Sequence, residues 1–101
     1  MYSIIMKKLI FEWDDTKNKT NLTKHGVTFE EAQTVFFDES AIQFDDPDHS
    51  IDEERFLLLG FSQKFEVLVV CHCYRSDESM IRIISARKAT RKEQKVYFRR
   101  P

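Results

Sequence analysis

The chain has 101 residues, of which 42% are hydrophobic and 33% charged, and its formal net charge is −1. This length fits one domain with a single modest core over residues 1–101, and the composition excludes an intrinsically disordered chain. The longest apolar runs have the length of a strand, which excludes a helix that crosses a membrane. In residues 1–8 the lysines follow the apolar residues, the reverse of a secretory signal, so we expect a cytoplasmic protein.

The near-neutral total conceals two regions of opposite charge. Residues 30–54 contain ten acidic residues and no lysine or arginine, whereas residues 82–101 contain eight basic residues and one acid, Glu93. This segregation predicts a protein that binds an anion through one surface and a basic partner through another.

The first half of the chain predicts one strand followed by two helices. Residues 8–13 have the composition of a strand, and one of the two aspartates that follow can cap a helix that ends at Gly26. Thr28 would begin a second helix, with Glu31 completing a capping box three residues later. Apolar residues at helical spacing should form the buried face of this second helix: Phe29, Ala32, Val35 and Phe36.

The second half predicts four strands and a final helix. A brief strand at 41–45 precedes a turn, and further strands follow at 55–61, 65–74 and 79–86. Their connections have hairpin length, so the last three should pair antiparallel as a meander, and Thr90 would cap the final helix. The order β-α-α-β-β-β-β-α predicts an α+β fold, with a helical hairpin against a largely antiparallel sheet and a C-terminal helix near the sheet edge.

Arg82 is the least expected residue of this pattern, because it lies among isoleucines in the middle of a predicted strand. An unpaired arginine is costly to bury, so it must either face a cleft or form a salt bridge, for example with an acid of residues 45–54. In a regular strand Arg82 and Arg87 would lie on opposite faces. Both can line one cleft only if the chain bends or leaves the sheet around Ala86.

His72, on the preceding predicted strand, would provide a titratable group beside a fixed cation if it neighbours Arg82. Such a pair suits RNA cleavage without a metal. That reaction needs a base for the 2′-hydroxyl, positive charge for the phosphorane and an acid for the leaving 5′-oxygen. The alternative is a hydrogen-bonded structural histidine.

Two clusters resemble metal sites only superficially. The spacing of His49 and the aspartates of residues 45–52 fits neither an EF-hand nor a zinc site, so a solvated acidic loop is expected. Cys71 and Cys73 lack the second half of a zinc site and should be buried, reduced thiols. The sequence therefore predicts no metal and no other cofactor.

The basic C-terminal segment can contact phosphate groups. Arg87, Arg91 and Lys95 recur at i, i+4 and i+8, and Tyr97 could stack on a base or donate to a phosphate. The alternative is that Tyr97 and Val96 pack the helix against the sheet while its lysines face solvent.

Several blocks of this sequence resemble the BrnT toxin family, over residues 9–98. They are Phe11-x-Trp13-Asp14, Lys17, Asn21, Lys24-His25-Gly26-Val27, Phe29-x-Glu31-Ala32, Val35-Phe36-x-Asp38, Asp46-x-Asp48-His49-Ser50, Glu53-Glu54-Arg55-Phe56, and Arg82-Ile83-Ile84-Ser85-Ala86-Arg87 followed by Ala89-Thr90, Glu93 and Tyr97. The resemblance implies a RelE-like fold and a metal-independent endoribonuclease toxin of a type II toxin–antitoxin system. It also implies inhibition of translation and growth, and neutralisation by a cognate BrnA-like antitoxin.

The resemblance also implies roles for individual residues. Arg82 and Arg87 would hold the scissile phosphate and stabilise its transition state, while Arg55 or His72 would transfer protons and Tyr97 would orient the substrate. His72 is a further candidate rather than part of the family motif. The residues expected to bind RNA outside the catalytic site are Arg75, Lys88, Arg91 and Lys95.

The expected partners follow from the same resemblance. They are RNA, including mRNA associated with the ribosome, and an antitoxin of the ribbon-helix-helix type. DNA would be contacted only through the complex with the antitoxin, and no membrane is involved. The alternative is a non-catalytic module that binds nucleic acid or a partner within a toxin–antitoxin complex repressing its own promoter.

Overall fold

The computed structural model describes residues 9–50, 53–75 and 79–99. In chain order these form β1 (Ile10–Glu12), α1 (Asp15–His25), α2 (Phe29–Thr34), β2 (Ile42–Asp45), β3 (Phe56–Phe61), β4 (Val67–Arg75), β5 (Met80–Lys88) and α3 (Arg91–Phe98). Short 3-10 turns at Val35–Phe37 and Pro47–His49 flank β2. The predicted α+β class is confirmed. Residues 1–7 and the predicted hairpin connection at 76–78 lie outside the described residues.

The strands form one mixed sheet in the order β1-β5-β4-β3-β2. The meander predicted for the last three strands is confirmed, because β3, β4 and β5 pair antiparallel and β2 joins β3 in the same sense. β1 lies parallel to β5, with Glu12 opposite Arg82. The first and last strands of the chain are therefore neighbours, and β1 brings an acid beside the arginine of β5.

The helices begin and end where their capping residues predict. The Asp14 carboxylate accepts a hydrogen bond from Lys17 N at 3.0 Å, and Gly26 ends α1 in the left-handed region with φ of 72°. Thr28 caps α2, but the Glu31 carboxylate is buried and accepts from Ser62 Oγ at 2.7 Å. The predicted capping box of α2 is thus only half formed, because the Glu31 side chain is hydrogen-bonded to the turn after β3 instead of to the start of its own helix.

The two faces of the sheet are covered unequally. α1 and α2 lie on one face, called here the helical face, and build the larger core with the sheet. α3 packs over the opposite face, called here the open face, which it covers only at the β3–β4 hairpin end. No described helix is both long and apolar enough to cross a membrane. The buried core of the helical face consists of Val27, Phe29, Ala32, Val35, Leu58, Leu68, Val70, Ile83 and Ala86.

β5 contains a β-bulge at Ile84. In the pairing of β4 with β5, Cys71 lies opposite Ser85, whereas the next residue, His72, lies opposite Ile83. Ile84 is therefore an extra residue in β5 and has no direct partner in β4. Because side chains alternate along a strand, one inserted residue exchanges the faces of all residues beyond it.

The bulge places Arg82 and Arg87 on the same face of the sheet. Buried residues of β5 are spaced by two before the bulge and by three across it, which is the change of face expected from one extra residue. We expected the chain to bend or leave the sheet around Ala86. The irregularity lies two residues earlier, at Ile84, and the strand continues to Lys88.

Asn21 of α1 holds the part of β5 that follows the bulge. Its Nδ2 donates to Ala86 O at 2.8 Å, and its Oδ1 accepts from Ala86 N at 3.1 Å. β1 pairs with β5 only as far as Arg82, so this amide replaces a strand neighbour at Ala86. The same Nδ2 donates to Val27 O at 2.8 Å, which also fixes the connection between α1 and α2.

Candidate functional site

Four arginines lie on the open face of the sheet. Arg55 immediately precedes β3, Arg75 ends β4, and Arg82 and Arg87 flank the bulge of β5. Their side chains are between 31% and 48% exposed, so each is partly buried and still reachable. Several guanidinium groups on one face create a positive potential that attracts anions, phosphate groups above all.

A cleft of about 270 Å³ opens on this face beside the start of α3. Its floor is formed by β4 and β5, and one wall by the 3-10 turn after β2 together with the start of β3. It combines cations with an acid, an imidazole, a hydroxyl and a thiol. The lining residues are Asp46, His49, Arg55, Leu57, Cys71, Ile84, Ser85 and Arg87.

Glu93 at the start of α3 fixes the Arg87 guanidinium. The two groups form a bidentate pair, with Nη1–Oε1 at 2.7 Å and Nη2–Oε2 at 2.9 Å. The Glu93 carboxylate also accepts from Thr90 N at 2.8 Å and completes the capping box predicted for α3. Hydrogen bonding to Arg87 lowers the pKa of Glu93 to about 2, and hydrogen bonding to Glu93 raises the pKa of Arg87. The guanidinium is thereby held in one orientation at the cleft.

Glu12 lies between Arg75 and Arg82. Its Oε1 is 3.6 Å from Arg75 Nε, and its Oε2 is 3.9 Å from Arg82 Nη1. One carboxylate shared by two guanidinium groups leaves a net positive charge at this end of the face. The expected salt bridge to an acid of residues 45–54 is wrong for Arg82, since the parallel pairing of β1 with β5 supplies Glu12 instead.

Arg55 carries a buried donor that has no partner in the part of the chain that the structure describes. Its Nη2 lies 3.5 Å from Glu53 Oε1, but its Nε is buried and forms no hydrogen bond with any group of residues 9–50, 53–75 or 79–99. Leaving a buried donor unsatisfied costs about 1–3 kcal/mol. A site that binds an acceptor, such as a phosphate oxygen, would recover this free energy.

His49 faces the same cleft with a carboxylate behind it. Its Nδ1 lies 3.0 Å from Asp46 Oδ1, and the imidazole is 66% exposed whereas the carboxylate is only 12% exposed. An acid that engages one ring nitrogen orients the ring and leaves the other nitrogen for a ligand. We expected His49 to belong to a solvated loop. The signal for this pair is the Asp-x-x-His spacing, which places both side chains on one 3-10 turn.

His72 lies on the helical face and is fully buried. Its ring nitrogens are 3.1 Å from Val70 O and 3.2 Å from Gln43 Oε1, and its ring packs on Phe36 with centroids 4.7 Å apart. Burial lowers the pKa of His72, which favours the neutral ring. The expected adjacency of His72 to Arg82 is wrong, because Arg82 lies opposite Cys73 on the other face.

Tyr97 contacts residues at the hairpin end of the open face rather than the cleft. Its hydroxyl donates to Asp38 Oδ2 at 2.6 Å, and its ring lies 6.1 Å from that of Phe61. The predicted stripe of Arg87, Arg91 and Lys95 along one helix is wrong, since Arg87 belongs to β5 and α3 begins at Arg91.

The expected RNA-binding residues are spread over the molecule. Arg75 lies beside Glu12 on the open face, and Lys88 Nζ lies 3.5 Å from Glu66 Oε1 at the hairpin end. Arg91 and Lys95 are exposed on α3.

The two cysteine thiols lie on the open face of β4. Cys71 and Cys73 are free and buried, as predicted. Burial raises the pKa of Cys71 to about 11, so this thiol stays protonated near neutral pH. Within the part of the chain that the structure describes, no three His, Cys, Asp or Glu side chains are grouped to hold a metal ion.

Comparison with known proteins identifies the family. The family model described as "Ribonuclease toxin, BrnT, of type II toxin-antitoxin system" matches residues 13–93. The crystal structure of the Brucella abortus ribonuclease toxin BrnT is similar to this chain, with a TM-score of 0.64 and 25% sequence identity over 82% of this chain and 99% of that one. No curated protein sequence matches the chain. With four fifths of its length matched by the family model, the chain belongs to the BrnT family of ribonuclease toxins of type II toxin–antitoxin systems.

Proposed function

We propose that this protein is a metal-independent endoribonuclease toxin with a RelE-like fold. It acts in the cytoplasm on RNA, including mRNA associated with the ribosome, and thereby inhibits translation and growth. A cognate BrnA-like antitoxin of the ribbon-helix-helix type neutralises it, and DNA is contacted only through their complex. The observation that carries this proposal is the bulge at Ile84, which brings Arg82 and Arg87 to the face that also holds Arg55 and Arg75.

The arginines of the open face bind the scissile phosphate. Arg87 is held in place by Glu93, and Arg55 offers a buried Nε that has no partner among the described residues. Arg82, partly exposed on the same face, adds positive charge where the phosphorane develops. Guanidinium groups stabilise this charge without a metal ion, because their positions are set before the substrate arrives.

His49 is the general base in this proposal. With Asp46 at Nδ1, Nε2 takes the proton from the 2′-hydroxyl as the 2′-oxygen attacks phosphorus. The bond to the 5′-oxygen breaks, the 5′-oxygen takes a proton from water in the cleft, and the products are a 2′,3′-cyclic phosphate and a 5′-hydroxyl. Arg55, which lines the same cleft, donates a hydrogen bond to the departing oxygen. His72 and Tyr97 have no part in this scheme, because they contact Gln43 and Asp38 instead.

The test is cleavage of single-stranded RNA by the purified protein in EDTA, with and without ribosomes. We expect the protein to cleave RNA both with and without EDTA. We expect Arg82→Ala to be slower by about 10²–10³-fold, because it removes one transition-state contact. Lys19→Ala, on the exposed side of α1, is the matched loss of a cation away from the open face and should cleave like the wild type. Equal rates for wild type and Arg82→Ala would contradict this site.

The same experiment separates cleavage from binding alone. The exposed acids Asp45, Asp48 and Glu54 suit a basic segment of a partner, as a non-catalytic module in an autorepressing complex would require. A protein that retains RNA on a filter and leaves its ends unchanged, with and without ribosomes, would fit this second function and contradict the first.

A further inference from the structure

The turn between β3 and β4 presents a phenylalanine in an unusual backbone conformation. Phe65 has φ of 62°, in the left-handed region that suits glycine and that bulky residues rarely adopt. Phe65 is 82% exposed, so burial of the ring does not compensate for the backbone strain. Strain retained at an exposed aromatic residue is typical of a binding role.

The turn that carries Phe65 is firmly held from below. Ser62 is buried and donates to the Glu31 carboxylate at 2.7 Å, while its hydroxyl accepts from Lys64 N and Glu66 N at 3.2 and 3.3 Å. Gln63 N donates to a threonine hydroxyl of α2 at 2.9 Å. The exposed ring is therefore displayed by an ordered turn.

Phe65 forms one wall of a shallow pocket of about 300 Å³. Phe98, 60% exposed at the end of α3, lines the same pocket, and Phe61 lies below both. The Phe61 ring centroid is 6.3 Å from that of Phe65 and 6.1 Å from that of Phe98. Two exposed rings around one opening form a surface on which a flat aromatic ligand can stack.

The charge around this pocket is mostly positive. Lys88 lines it and lies 3.5 Å from Glu66, and Lys64 precedes Phe65 in the turn. α3, which carries Phe98, exposes Arg91, Lys92 and Lys95. Aromatic rings interleaved with cations are the combination that binds single-stranded nucleic acid, because the rings stack on bases and the cations contact phosphates.

We propose that the pocket between Phe65 and Phe98 stacks an unpaired base of the RNA, away from the site of cleavage. One strand of RNA can reach both places, because Val67 lies at the pocket and Cys71 at the cleft, about 13 Å apart along β4. The inference deepens the proposed function and rests on it in taking RNA as the ligand.

The experiment measures equilibrium binding of a fluorescent single-stranded 2′-O-methyl RNA, which has no 2′-hydroxyl to attack phosphorus. Phe65→Gly removes the ring and suits the left-handed backbone, so the turn should keep its shape. We expect affinity to fall on the order of ten-fold, the effect of losing one stacked base. Phe98→Ala tests the other wall with the same expectation, and Phe65→Trp should retain affinity.

Phe37→Ala is the matched control, since Phe37 is also an exposed phenylalanine but lies beside Phe11, away from the basic surface. Its RNA affinity should equal that of the wild type. The proposal would be overturned if both Phe65→Gly and Phe98→Ala bound RNA with unchanged affinity. If these variants bound RNA normally but bound the cognate antitoxin more weakly, the pocket would be a protein-docking site instead. A wild type that binds through Phe65 but cuts no natural RNA would refute the proposed function and leave this inference standing.

Discussion

The helical face and the open face of the sheet differ in how their polar groups are satisfied. On the helical face, buried Asn21 and Glu31 each form hydrogen bonds that tie one element to another. On the open face, four arginines share a few partly exposed acids, and Arg55 keeps a buried donor unpaired among the described residues. The first pattern stabilises a fold, whereas the second leaves positive charge and hydrogen-bonding capacity for an anionic ligand.

One strand serves both faces because of its bulge. Without the extra residue Ile84, the side chain of Arg87 would point to the helical face, where α1 and α2 leave no solvent to hydrate it. With it, Ala86 fills the core while Arg82 and Arg87 both reach the open face. Bulges recur beside functional sites for this reason, since they redirect one side chain without ending the sheet.

The largest expected effect on RNA cleavage comes from comparing substitutions of His49 and His72. His49→Ala removes the base that Asp46 orients, so we expect the rate of RNA cleavage to fall by about 10²–10⁴-fold. The free energy of unfolding should change little, because His49 is 66% exposed. His72→Gln should do the reverse, lowering stability through the lost packing on Phe36 while folded molecules cleave at the wild-type rate.

The measurement is single-turnover cleavage normalised to the folded fraction, which circular dichroism reports for each variant. A normal rate for His49→Ala, or a folded but inactive His72→Gln, would show that the catalytic assignment belongs on the other face.

The next largest effect is on stability, and it tests whether α1 on the helical face holds the part of β5 that carries Arg87. Asn21→Ala leaves the N–H and C=O of Ala86 without their side-chain partner, so we expect the free energy of unfolding to fall by about 2–4 kcal/mol. Urea denaturation measures the change, and Thr20→Ala, on the exposed side of α1, is the control that should stay near the wild type. A loss no larger than that of Thr20→Ala would mean that β5 beyond the bulge does not depend on α1.

The local signals in the sequence predicted much of the fold. Gly26 ended α1 and Thr90 with Glu93 began α3, because each of these effects acts within a few residues of the chain. The parallel pairing of β1 with β5 could not be derived in the same way, since it joins residues some seventy positions apart through contacts that no local pattern encodes.

The candidate site was harder to predict than the fold. Strict alternation separated Arg82 from Arg87, and only the register of β4 against β5 reveals the extra residue that reunites them. The sequence places His72 in a strand next to the one that contains Arg82, but a change of one residue in the register decides which face of the sheet its side chain occupies. The acidic neighbours of His49 indicate a solvated loop, although its spacing to Asp46 allows the two side chains to pair on one turn.

The smallest expected effect distinguishes the faces by pH. Burial lowers the pKa of His72 from its ordinary 6.5. Just below pH 6.5 the unfolded chain therefore binds a proton at His72 that the folded protein does not bind, and the free energy of unfolding falls as pH falls. Arg87 lowers the pKa of Glu93 from 4.5 to about 2, so the stability from that pair is complete above pH 4.5 and is lost as pH falls towards 2.

Glu93→Gln should therefore flatten the pH dependence of unfolding below pH 4.5, and His72→Gln should flatten it as pH begins to fall below 6.5. For Glu93 we expect a difference of only about 1 kcal/mol, because the pair is partly exposed and solvent screens it. Urea midpoints across both pH ranges measure the two effects separately. If Glu93→Gln changed the pH dependence near pH 6.5 instead of below pH 4.5, or if it changed neither, the pair of Arg87 with Glu93 would not contribute to the stability of the folded protein.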